Sequence, residues 1–199
     1  LEARLLEASA SALNLCGRRP EAAAARDEAI RLARKARDQG LLGRLIWARA
    51  HGSLGPTAEV MADVEMALTI LREHGLPRDR AVAANELAVR RMQLGDPAAA
   101  EPFFLESVRG FRSVGDRQWE GVGLCQMAIL RLERGRYDEA RAVVAEAVRL
   151  ASEEHGWNLS AMASQVSGHL AHIEGDLAQA RAAFGRAIEI YRRVAYPRF

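Results

Sequence analysis

This chain has little cysteine, little proline and almost no lysine. Its 199 residues include two cysteines, Cys16 and Cys125, six prolines, and one lysine, Lys35, among 28 basic residues. Two cysteines in a chain this long make no disulfide framework, and they point to a reducing, intracellular setting. No apolar run approaches the roughly 18 residues that a membrane span needs, so no membrane role is expected. The start, LEARLLEASASALNL, carries charges through its apolar pattern and does not have the form of a signal peptide. A net charge of +2 is too mild to call for nucleic acid. The expected location is the cytoplasm. Because the chain opens on Leu1 rather than Met, it is expected to be a piece of a longer protein, with other domains of the same chain as partners.

Alanine is abundant, at 38 residues. It has the best intrinsic helix propensity, and its small side chain lets helices approach closely. The stretch GDLAQARAAF at Gly175–Phe184 is echoed by GRYDEARAVV from Gly135 and GDPAAAEPFF from Gly95, each start 40 residues after the last. Gly55 extends the series upstream, and Gly75, Gly115 and Gly156 fall between its members. Gly17 and Gly40 continue the alternation less regularly. Glycine ends helices well, because it takes the left-handed conformation at little cost. Pro20, Pro56, Pro77 and Pro97 follow these breaks, where a first helical turn tolerates proline. Between breaks the apolar period is helical, as in Ala140, Val143, Val144, Ala147, Val148 and Ala151.

The pattern predicts ten helices in five antiparallel pairs: 1–16 with 20–38, 41–53 with 57–74, 78–94 with 97–114, 117–134 with 137–154, and 157–174 with 177–194. Short connections make hairpins, and a lone hairpin cannot bury its apolar stripe, so the pairs must stack. The expected fold is an all-α, right-handed α-solenoid with a concave inner face, forming one repeat domain over residues 1–199. No strand alternation is visible.

These residues resemble the tetratricopeptide repeat family. The family places Gly at the end of a first helix, then Asp, then a bulky residue, with Ala three positions on. Here that reads Gly95-Asp96-Pro97 with Ala100, Gly135-Arg136-Tyr137 with Ala140, and Gly175-Asp176-Leu177 with Ala180. The second-helix aromatic matches Phe104 and Phe184, with Val144 between. The small residues at helix crossings match Ala88, Ala128 and Gly168, then Ala147 and Ala187. The cover is strong from about residue 78 and weaker before it; Val60 stands where the family has Ala. The period of 40 departs from the family's usual ~34. Such long repeats resemble those of large bacterial ATPase-type transcription activators, where a helical sensor array follows a switch domain. HEAT and armadillo repeats share the length, but the Gly-Asp-x-x-x-Ala signature argues against them.

The residues that suggest chemistry also have plain readings. His169 and His172 share a helix face, but no nearby residue completes a zinc ligand set, so no metal is expected. Cys125 has no base or oxyanion donor placed beside it by the sequence, and a small buried or half-buried hydrophobe is the simpler reading. Gly121-Val122-Gly123 lacks the lysine and preceding strand of a phosphate loop, and reads as close helix packing. RLARKARD at 31–38 and the pair Glu153-Glu154 read as solvated helix faces.

In the tetratricopeptide pattern the first helix of each pair lines the groove. The resemblance therefore implies groove positions at Asn85, Val89 and Met92, at Cys125, Ile129 and Leu132, and at Gln165, His169 and His172. Some members grip a chain-terminal carboxylate there with Lys, Asn and Arg; Val89 and Ile129 occupy places where that clamp wants Asn. The expected function is a non-catalytic interaction or sensor module that binds a protein, a peptide or a small effector in this groove, as the regulatory part of a bacterial transcription activator. The alternative is a protein–protein scaffold without a switching role. No enzyme activity, cofactor or direct nucleic-acid binding is expected.

Overall fold

The computed structural model describes residues 1–53, 55–154 and 156–195. Among them are ten α-helices and no strand: α1 Glu2–Leu15, α2 Arg19–Ala36, α3 Gln39–His51, α4 Ala58–His74, α5 Pro77–Gln93, α6 Pro97–Ser113, α7 Arg117–Glu133, α8 Tyr137–Glu154, α9 Trp157–Ile173 and α10 Leu177–Ala195. Each expected helix is present, with its ends within two residues of the expected ones. No helix among the described residues is long and apolar enough to cross a membrane.

The turns explain this agreement. Gly95 and Gly175 sit at φ 76° and 83°, a region that only glycine enters cheaply. The next residue then caps the following helix. Asp96 Oδ1 accepts from the Ala99 amide at 3.0 Å, and Asp176 Oδ1 accepts from the Gln179 amide at 2.9 Å. The same cap recurs at Asp38 and Asp116. Each aspartate satisfies one of the orphan amides that open a helix and lies at the positive end of its dipole. Glycine and aspartate together therefore stop one helix and start the next within three residues.

The helices gather into two compact units, Leu1–Gly95 and Asp96–Phe199. In unit 1, α1 packs on α2 and α3 on α4, and α2–α3 and α4–α5 contacts join the layers. Its core centres on Ala29, Ile30, Ala33, Leu42, Leu45 and Ile46. In unit 2, α7 packs on α8 and α9 on α10, and α7 also touches α6 and α9. Phe104, Phe111, Leu130, Leu150, Leu159 and Val166 are wholly buried there. The small residues at the repeat positions, Ala100, Ala128, Ala140, Ala147, Ala180 and Ala187, are all buried. Gly121 and Gly123 do pack closely. A Cβ on Gly121 would meet Leu159 at 2.6 Å, and one on Gly123 would meet Val108 at 2.9 Å.

Candidate functional site

Unit 2 presents part of the expected strip on two neighbouring helices. Ile129 and Leu132 on α7 are half-buried, and Gln165, His169 and His172 on α9 are exposed. The two helices pack on each other, and Ile129 and His169 hold the same place in successive repeats, as do Leu132 and His172. The His169 ring stands edge-on to Phe184 of α10 at 5.0 Å. Its character is mixed: two aliphatic side chains beside three polar ones. Among the described residues no group of three His, Cys, Asp or Glu is arranged to hold a metal ion.

Cys125 is corrected by the structure. It is 0 % exposed and so offers no groove surface. The reason is the position of α7, which packs against α6, α8 and α9 and is covered on more sides than a helix at the edge of a stack. Burial pushes the thiol up to about 12, so it stays protonated at neutral pH and acts as a small core hydrophobe. Asn85, Val89 and Met92 are half-buried on α5 and belong to unit 1. The Asn85 Oδ1 is buried without a hydrogen-bond partner.

Unit 1 carries a polar network that the sequence does not announce. Buried Glu86 accepts from Arg90 Nε at 2.8 Å and pairs with His51 Nδ1 at 2.9 Å. Burial opposes the Glu86 charge, yet the His51 hydrogen bond and the nearby Arg90 hold its carboxyl below the ordinary value. The same hydrogen bond raises the His51 pKa against the opposing effect of burial. The His51 ring stacks on Trp47 at 5.1 Å. Beside Trp47 is a cavity of about 170 Å³, lined by residues of α1, α2, α3, α4 and α5. A more open depression of about 480 Å³ lies on α8, α9 and α10 in unit 2, edged by Ser152, Ser160, Ser164, Ser167, Arg141 and Arg186. The serines at 160, 164 and 167 follow a helical period and so share one face of α9.

The sequence pattern of the tetratricopeptide repeat matches residues 79–153 and again 121–193, more than half of the chain. The chain belongs to the tetratricopeptide repeat family. No curated protein matches it. Solved structures of this fold do. BtubC (BKLC) from P. vanneervenii superposes with a TM-score of 0.77 over 96% of this chain and 81% of that one, at 23% identity. Two structures of putative kinesin light chain nearly identical TPR-like repeats from Podosopora anserina are also similar. One gives a TM-score of 0.66 at 13% identity over 96% of this chain and 95% of that one. The other gives 0.65 at 14% identity, covering 98% of each. At these identities the likeness shows the fold, an all-α tetratricopeptide-type solenoid. Tetratricopeptide repeats as a class mediate contacts between proteins.

Proposed function

We propose that the chain is a non-catalytic interaction module that holds a segment of a protein partner against α7 and α9 of unit 2, working in the cytoplasm. The observation that carries this reading is the strip itself. Ile129 and Leu132 keep apolar surface partly open on a face flanked by Gln165, His169 and His172. A partly apolar face with a polar edge suits an amphipathic peptide, whose apolar side gains by burial while the polar edge sets its register. The finer reading is a regulatory array of a bacterial transcription activator, with binding passed to other domains of the same chain. The 40-residue repeat length supports it. A scaffold without a switching role draws its support from the repeats themselves, which as a class mediate contacts between proteins.

Selection of short random peptides against the chain tests the interaction reading. Peptides recovered on the parent are expected to bind Leu132→Glu about tenfold or more weakly, because a buried carboxylate would displace apolar contact. Glu153→Ala is expected to leave affinity unchanged. Equal binding by Leu132→Glu, with helicity preserved, moves the site off this face. The two finer readings differ in their consequence: in a regulator, peptide binding alters the activity of further domains joined to this chain, and in a scaffold it leaves that activity unchanged.

A further inference from the structure

The cavity in unit 1 has an apolar floor that includes Leu45, Leu71 and Val82. Its walls are charged, and the charges are unequally served. Glu7 and Asp79 both have a cation: Arg44 donates to Glu7 at 3.3 Å and stands 3.8 Å from Asp79. Arg26, which reaches the same cavity from α2, forms no hydrogen bond or ion pair among the described residues. Its neighbour in the chain, Asp27, lies 3.6 Å from Arg49 instead. Burial is the main influence on Arg26 and lowers its pKa from the ordinary arginine value, against a smaller opposing pull from the Asp27 charge. A second donor lacks an acceptor as well, since Nε1 of Trp47, which also lines the cavity, is buried without a partner. Asp27 offsets part of the burial cost of the Arg26 charge but makes no hydrogen bond to it, so the guanidinium keeps its donors free, and the orphan indole N–H costs stability.

We propose that this cavity binds a small organic acid, a monocarboxylate with a short apolar body, through Arg26 and Trp47 over the floor of Leu45, Leu71 and Val82. Guanidinium and carboxylate match as a two-pronged pair, and an indole N–H donates to the same head group. The aliphatic body covers the floor. Size sets the class of ligand. About 170 Å³ is room for roughly five or six waters, which suits a carboxylate of about four to six carbons. It falls below the roughly 300–1,000 Å³ of sites that hold cofactors and nucleotides. The acidic side chain of a partner protein carries the same head group, so the test has to separate the two sources. The cavity lies wholly within unit 1, whereas the partner strip belongs to unit 2.

The test uses the whole chain, labelled with nitrogen-15, and sodium pentanoate as the probe at neutral pH and constant ionic strength. The readout is the indole N–H resonance of Trp47, assigned by its loss in Trp47→Phe. A saturable shift is expected, with a dissociation constant of about 1 mM or tighter. Pentanamide, the neutral isostere, is expected to bind about tenfold or more weakly, because it leaves Arg26 unpaired. Arg26→Met is expected to lose binding to a similar degree while raising the urea midpoint, since burial of this cation outweighs its attraction to Asp27. Arg26→Lys keeps the charge without the fork and is expected to bind severalfold more weakly than the parent. Three results would overturn the proposal: no pentanoate shift, equal shifts from acid and amide, or unchanged binding in Arg26→Met. Saturation by N-acetylglutamate N-methylamide without any response to pentanoate would also overturn it and assign the cavity to a partner's side chain. Failure of the peptide selection on α7 and α9 would leave it standing.

Discussion

A Cβ placed on Gly40 would stand 2.9 Å from the main-chain carbonyl oxygen of His74, so the start of α3 meets the end of α4 backbone against backbone. A main-chain oxygen cannot swing aside as a side chain can. Gly40→Ala gains roughly 1 kcal/mol of helix propensity but forces the two helix ends apart at a typical cost of roughly 1–3 kcal/mol. A net loss is expected, seen as a lower urea midpoint with an unchanged slope. Gly185 on α10 is the control: nothing lies within 4 Å of its notional Cβ. Gly185→Ala is expected to raise stability by up to about 1 kcal/mol.

Ala140 and Ala180 occupy the same place in successive repeats, and both are buried. Leucine at either position adds three carbon atoms to a closed crossing. Ala140→Leu and Ala180→Leu are each expected to cost about 1–3 kcal/mol. Ala142→Leu, on the exposed face of α8, is expected to stay within about ±0.5 kcal/mol. Equal midpoints for Ala142→Leu and Ala140→Leu would mean that the repeat register is misplaced.

The His51–Glu86 pair predicts a pH dependence. His51 has a raised pKa in the folded chain, chiefly from the Glu86 hydrogen bond. A raised pKa means that the folded state holds the proton more tightly than the unfolded state does. The histidine's contribution is therefore complete below its ordinary value of about 6.5 and is lost as pH rises through the folded value. Glu86, with a lowered pKa, contributes above its unfolded value and loses that contribution as pH falls through the folded one. Proton NMR of the His51 ring is expected to titrate above the ordinary histidine value in the parent. In Glu86→Gln it is expected to titrate lower, since burial and, to a smaller extent, the nearby Arg90 and Arg26 then act on it unopposed.

Glu120 is wholly buried, and its carboxylate accepts from Arg112 Nε at 2.6 Å and Arg117 Nη1 at 3.2 Å. Both arginines are substantially exposed, so the acid is the member of the cluster that cannot turn to water. Glu120→Gln keeps the shape but sets an amide NH₂ against a guanidinium. A loss of about 1–3 kcal/mol is expected in urea unfolding. Arg117→Met is expected to cost less, because Arg112 still serves the buried carboxylate.

The helix boundaries, the Gly-Asp turns and the small residues at crossings were legible in the sequence because each follows a local rule. A glycine at positive φ, an aspartate three residues before a free amide, and an apolar period of 3.6 all act within one or two turns of chain. The recurrence of Gly95, Gly135 and Gly175 at a fixed spacing then fixed the register of three repeats. Burial was decided elsewhere. Cys125 and Ile129 lie on one face of α7, one turn apart, yet only the first is sealed, because coverage depends on how closely α6, α8 and α9 approach. Arg44 hydrogen-bonds Glu7 across 37 residues, while Arg26 feels the charge of Asp27 beside it but forms no hydrogen bond or close ion pair with it. No periodicity shows that difference. A charged side chain's partner is set by where separate helices bring their faces together, and that distance exists only once the helices have packed.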